Sequence, residues 1–264
     1  MPRRFPGPGY SVLMWLFLAA CPEPDPGVAD LAGDTSESVP VDSTPTETGD
    51  SGTVTCPEGE IADAGRCVPE ICGRGRWGDL VAGDFPAWVA AGALDGDGTP
   101  ERPFGSIDEA VAHRAETVLV AEGVYPETVL LVNGGVALLG RCAALVTLDA
   151  GGGTVALDIG KGPVATLSGF TVTGGSDVGV AVRDQGAASI LDSVIRGNAG
   201  IGVLVDGKDA AMTMARTSVE DTLGDAAEEG GIGISVQSGA SAFLTGVTLL
   251  RNRQRGLYAR GDGT

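Results

Sequence analysis

The sequence predicts an all-β protein: a parallel β-helix, or solenoid, in which short strands recur coil upon coil. Three observations carry this. Glycine supplies 43 of the 264 residues, about twice its usual ~7% share, with no Gly-X-Y period. The apolar segments are short and punctuated by turn residues. One segment also recurs: Gly179-Val-Ala-Val, Gly202-Val-Leu-Val, Gly233-Ile-Ser-Val and Gly256-Leu-Tyr-Ala lie 23, 31 and 23 residues apart. Ala156-Leu-Asp-Ile fits one 23-residue unit upstream. The middle interval reads as the same unit with eight residues inserted within 222–231. An internal period of this length marks a stack of supersecondary units, none of which can bury its apolar face alone.

The repeat sets the interior. Val180/Val182, Val203/Val205, Ile234/Val236 and Leu257/Ala259 are predicted to form inward ladders. Phe170, Ile190, Leu191, Val194 and Leu244 are expected to fill the other walls. Asn198, Asp221 and Asn252 keep the same intervals and read as turn residues that tolerate a left-handed backbone. The outward positions form two further ladders. One is Asp158, Ala181, Leu204, Ser235, Tyr258; the other is Gly160, Arg183, Asp206, Gln237, Arg260.

Upstream of the repeats, the stack is expected to begin near Trp88. Ser106 and Glu109 have capping-box spacing, and Ile107, Ala110, Val111 and Ala115 share one face of a short helix. Strands are expected at Thr117–Val120, Val129–Val132 and Val136–Gly140, with turns at 122–123 and 133–135. Asp95-Gly-Asp-Gly suggests a calcium loop, but the twelfth position is Ser106 where such a loop needs Glu. A Gly-rich turn is the favoured reading. His113, the only histidine, sits near the helix without a nucleophile pattern and reads as a surface or capping residue.

The first 55 residues speak of address. Arg3 and Arg4 precede the apolar run Val12–Ala20, which is too short to span a bilayer as a helix. This is the pattern of a secretory signal over residues 1–20. Leu18-Ala19-Ala20-Cys21 resembles the lipobox of bacterial lipoproteins. That resemblance implies lipidation at Cys21 and anchoring to a membrane of the bacterial cell envelope, outer membrane or cell surface. Residues 22–55 carry eight acids and no base, so 21–55 reads as a self-repelling tether.

Four cysteines remain, an even number suited to an oxidising compartment. Three connectivities are possible; Cys56–Cys67 with Cys72–Cys142 is preferred. The first closes a local loop, and the second pins a small module, residues 56–87, to the main domain, residues 88–264. Zinc is disfavoured because the spacing lacks a CxxC pair.

The run Asp95-Gly-Asp-Gly-Thr…Pro103-Phe104-x-Ser-Ile-x-Glu-Ala110, followed by Val118-Leu-Val120-x-x-Gly123-x-Tyr125-x-Glu127 and Gly135-Val136-x-Leu138-x-Gly140, resembles a bacterial domain of unknown function. That family begins right-handed parallel β-helices of the pectin-lyase-like superfamily. The resemblance implies that handedness, with the helix covering the end of the stack. It implies no activity, since the family has none assigned.

The function classes narrow accordingly. Net charge −18 argues against nucleic acid, whose phosphates need clustered Lys and Arg. No cofactor and no metal site are expected. Neither outward ladder sets two carboxylates side by side, as glycoside hydrolysis requires. Arg183 beside Asp206 reads first as a surface ion pair, with contact to an anionic sugar as the functional alternative; Phe243 and Tyr258 are candidate sugar contacts. Arg260-Gly261-Asp262 reads as a coincidental tripeptide. Residues 256–264 begin another coil without a cap, so the chain reads as truncated. The expected function is a lipid-anchored, non-enzymatic binding or structural module, with polysaccharide or another surface molecule as partner. The alternative is a polysaccharide lyase or hydrolase whose active coils lie beyond residue 264 or in the inserted loop.

Overall fold

The computed structural model describes residues 54–261, apart from 133, 134, 163, 226 and 228. The expected signal segment, Cys21, nearly all of the tether and the last three residues lie outside the described residues. So do two residues of the expected 133–135 turn and Asp262 of the Arg260-Gly261-Asp262 tripeptide.

The strands assort by threes. After the first, Pro86–Val89, each coil contributes one strand to each of three parallel sheets, which form three walls. The first wall runs from Pro86–Val89 through Thr117–Val120 to Ser241–Thr245 and holds seven strands. The second runs from Gly123–Pro126 to Thr248–Leu250, and the third from Val129–Leu131 to Arg255–Arg260, with six strands each. From Thr117–Val120 onward, sequential strands do not pair; each pairs with its counterpart one coil away, as in a parallel β-helix. The expected repeat register is the observed one: Val180 pairs with Val203, Val203 with Ile234, and Ile234 with Leu257.

The core follows from alternation. Val180, Val182, Val203, Val205 and Ile234 are buried in one continuous cluster with Phe170, Ile190, Ile195 and Met214. Two expected wall-filling residues fall elsewhere. Leu191 is only partly buried, because the period of two turns it outward while Ile190 turns in. Val194 is likewise half-buried, and its neighbour Ile195 fills the core.

The repeated glycine is required by space, not by a left-handed backbone. A Cβ on Gly179 would lie 2.6 Å from the Gly202 carbonyl oxygen and 2.7 Å from Asn198 Nδ2. Gly233 meets the Gly256 carbonyl oxygen and Asn252 in the same way. Asn198 and Asn252 are therefore not left-handed turn residues. Asn198 is fully buried; its Nδ2 donates to the Val172 and Arg196 carbonyls, and its Oδ1 accepts from Gly175 N–H. Asn252 Nδ2 donates to the Val219 carbonyl, and its Oδ1 accepts from Thr222 N–H. These amides satisfy main-chain groups that the corner turns away from the ladder. Asp221 does take a positive φ of 54°. The insertion leaves the stack as expected: Gly224 and Gly230 bridge at its base, and Asp225 Oδ1 accepts from the Ala227 and Glu229 N–H groups.

At the other end, Glu60–Asp63 and Arg66–Pro69 pair as a small antiparallel hairpin. The disulfides are Cys56–Cys67 and Cys72–Cys142. Trp77 packs edge-on against Trp88. The sequence-based boundary after residue 87 falls inside strand Pro86–Val89, which pairs fully with Thr117–Val120. The one α-helix among the described residues, Ile107–Ala112, buries Ile107 and Ala110. Ser106 Oγ accepts from Glu109 N–H at its start, as the capping-box spacing predicts. Glu127 adds a second cap: its carboxylate accepts from the Ile107 and Asp108 N–H groups. Burial of Glu127 nevertheless raises its pKa.

Candidate functional site

Stacking fixes the inside of each wall, so chemistry must be sought on the outside. In the first wall, Ala188, Ile190, Met212 and Met214 point inward. The alternate positions then form an outer ladder in register: Thr166, Ser189, Thr213, Phe243. Small side chains flank it, with Ala187, Ala211 and Ser241 paired across the same three coils. The result is a shallow open hollow of about 300 Å³, reaching from Val164 to Phe243, whose lining holds no charged side chain. Phe243 is 68% exposed. Hydroxyls at every coil can donate and accept hydrogen bonds, and an exposed ring offers an apolar platform. No group in this lining titrates near neutral pH, so the surface can hold a neutral polar chain but supplies no general acid or base.

The third wall is built differently outside. The first ladder read from the repeat is observed in register throughout, and the second from Arg183 to Arg260. Val178, Ala181 and Leu204 form an apolar cluster separate from the core, with Val155 and Ile201 packed against it. Beside it, Arg183 lies between Asp158 and Asp206. The expected Arg183–Asp206 pair is not the one formed. Arg183 Nε stands 3.8 Å from Asp158 Oδ1, and both Arg183 Nε and Asp206 Oδ1 are buried without a hydrogen-bond partner. Desolvation raises the pKa of Asp158, and Arg183 opposes the shift. Tyr258 lies on this wall under the Arg255 guanidinium, 5.3 Å from the ring centroid. The four candidate contacts are thus not one site: Arg183, Asp206 and Tyr258 share the third wall, and Phe243 is on the first.

Other candidates resolve as structure. In the Asp95–Arg102 loop, Asp97 Oδ1 accepts from Thr99 N–H and Oγ1, while the Arg102 guanidinium reaches Asp97 Oδ2 and the Asp95 carbonyl. A cation is thus built into the loop by its own arginine. His113 stacks on Phe104 at 4.7 Å. Among the described residues, no three His, Cys, Asp or Glu side chains gather as a metal ion would require.

One residue escaped sequence reasoning. Arg141 is buried beside Cys142, and its guanidinium donates to the Cys72 and Gly73 carbonyls, to Asp63 at 2.6 Å and to Glu122 at 2.9 Å. Glu122 also pairs with Arg66. The Gly75 N–H and Arg141 hold Asp63 below its usual pKa. No period or motif marks Arg141; only its place beside a bridging cysteine hinted at a role. It joins the hairpin module to the stack.

No family model matches the chain, and neither a curated protein nor a solved structure matches it significantly.

Proposed function

We propose that this chain is a non-enzymatic, lipid-anchored β-helix of the bacterial cell envelope that binds a neutral polysaccharide along its first wall. The supporting observation is the hydroxyl ladder Thr166, Ser189, Thr213 ending at exposed Phe243. A linear sugar chain offers hydroxyls and C–H faces in alternation, which suits hydrogen-bonding rungs beside an aromatic platform. In this reading the coils are right-handed, the helix Ile107–Ala112 covers the N-terminal end of the stack, and residues 1–20 export the chain. Cys21 carries lipid, and 22–55 hold the binding face away from the membrane. The resemblance to pectin-lyase-like β-helices and to the lipobox supports these parts.

The test is a binding assay of the purified chain against a panel of neutral and acidic polysaccharides, with product analysis of the same mixtures. Binding to a neutral member is expected, weakened about tenfold or more by Phe243→Ala, without release of reducing or unsaturated ends. Turnover would favour the lyase or hydrolase reading. Equal binding by the Phe243→Ala chain would remove the first wall as the site.

A further inference from the structure

The seam that Arg141 closes leaves a cleft beside it. The cleft holds about 340 Å³ between the hairpin turn and the first coils of the stack. At ~30 Å³ per water, that is room for roughly eleven waters. We propose that this cleft binds a small organic monocarboxylate, with Arg76 taking the carboxylate and three alanine methyls taking the apolar body. It shares no residue with the hydroxyl ladder of the first wall, so the two sites stand or fall separately.

The charges in the cleft do not cancel. Arg66, Arg76 and Arg141 line it, against Asp63 and Glu122. A chain of net charge −18 thus keeps one surplus positive charge here. Both carboxylates are engaged by the chain itself. Asp63 accepts from the Gly75 N–H and from Arg141, and Glu122 accepts from Arg66 and Arg141. The rest of the Arg141 guanidinium is taken by two carbonyls. Arg76 is different. Its guanidinium lies over the Trp77 ring, 5.2 Å from the centroid, and makes no hydrogen bond or ion pair among the described residues. The ring restrains the group and leaves its five N–H donors open. Such a planar fork matches a carboxylate, and one surplus charge calls for one anionic group.

The floor defines the rest of the ligand. It is made of Ala90, Ala91 and Ala121. Their N–H groups are all engaged. Ala91 N–H donates to the Tyr125 hydroxyl, while the Ala90 and Ala121 N–H groups donate to the Phe104 and Val89 carbonyls. The buried Tyr125 hydroxyl in turn donates to the Ala121 carbonyl. The floor therefore offers methyl surface and no donor. That suits a short hydrocarbon chain and gives a second anionic group nothing to hold it.

The probes are butyrate, its neutral counterpart butyramide and inorganic phosphate, each titrated into the purified full chain and followed by calorimetry. Butyrate should saturate the chain at millimolar concentration, and butyramide and phosphate should bind about tenfold more weakly or less. Arg76→Gln should lower butyrate affinity about tenfold or more. Ala91→Leu is the second variant. Residue 91 is exposed, so the larger side chain fills the cleft while every charge stays in place, and butyrate affinity should again fall about tenfold. Undiminished butyrate binding by either variant would overturn the proposal. So would the absence of butyrate binding to the wild-type chain, or equal binding of butyrate and butyramide. Phosphate binding as tight as butyrate would make this a general anion site and overturn the carboxylate assignment.

Discussion

Residues 54–142 and residues 155–260 hold themselves together by different physics. The second region is a stack of near-identical coils, each satisfied by the next through apolar ladders and buried corner amides. The first is a junction between unlike parts, a hairpin and a stack, joined by a disulfide, a pair of tryptophans and one arginine. Repetition makes packing local and redundant. A junction concentrates its stability in a few groups that nothing repeats.

The contrast is broken most directly by removing one group from each region. Arg141→Ala takes one donor from each of Asp63, Glu122 and two carbonyls and empties a buried position, and about 3–5 kcal/mol of stability should be lost. Phe170→Ala empties a fully buried core position at a similar cost of about 3–5 kcal/mol. Hydrogen exchange separates them. The arginine variant should open the hairpin and leave the repeat coils protected, whereas the phenylalanine variant should loosen neighbouring coils and spare the hairpin. Equal opening of both regions in both variants would make the two regions one cooperative unit.

A smaller effect comes from the covalent link. Replacing Cys72 and Cys142 together by Ser should cost about 2–4 kcal/mol, the usual contribution of a native bridge. The loss should again appear in the hairpin first. If reduction of the wild-type protein leaves hairpin exchange unchanged, the arginine alone maintains the junction.

The smallest effect is acid sensitivity confined to the junction. Asp63 has its folded pKa below the ordinary 3.8. Its contribution is therefore fully present above 3.8 and is lost as pH falls through the depressed value. Proteolysis at the Ala64-Gly65 turn should rise as pH drops below about 4, before the repeat coils lose their strand signal. Glu127 has the opposite sign. Its folded pKa is raised, so its contribution is greatest in acid and declines as pH rises through the folded value. The helix it caps should not be the acid-labile element.

The same division explains what could be read from the sequence. The inward ladders as far as Ile234/Val236, the outer ladders and the insertion followed from intervals of 23 and 31 residues, because stacked coils must place equivalent residues in register; Leu257 and Ala259 keep the register on the last described coil but are exposed there. The capping box was legible because it is local. Leu191 and Val194 were misplaced because assigning their faces needed the phase of each strand, which a run of apolar letters does not give. Arg141 was invisible because its partners lie 19 to 78 residues away. The hydroxyl ladder was overlooked for another reason. Thr166, Ser189 and Thr213 are ordinary residues singly and become a surface only when the coils align them.

The bridge from Cys72 to Cys142 also sets how the molecule would bear load. If the chain is held by its N-terminal segment, tension arriving at Cys56 crosses its bridge to Cys67, runs on to Cys72 and crosses the second disulfide to Cys142, just after strand Ala137–Gly140. The intervening strands Pro86–Val89 and Thr117–Val120, and the helix between them, are then off the force path. Without the bridge, the same pull would peel Pro86–Val89 from the edge of its sheet one hydrogen bond at a time. With it, the load reaches a strand that has neighbours on both sides, and the stack is pulled as a block.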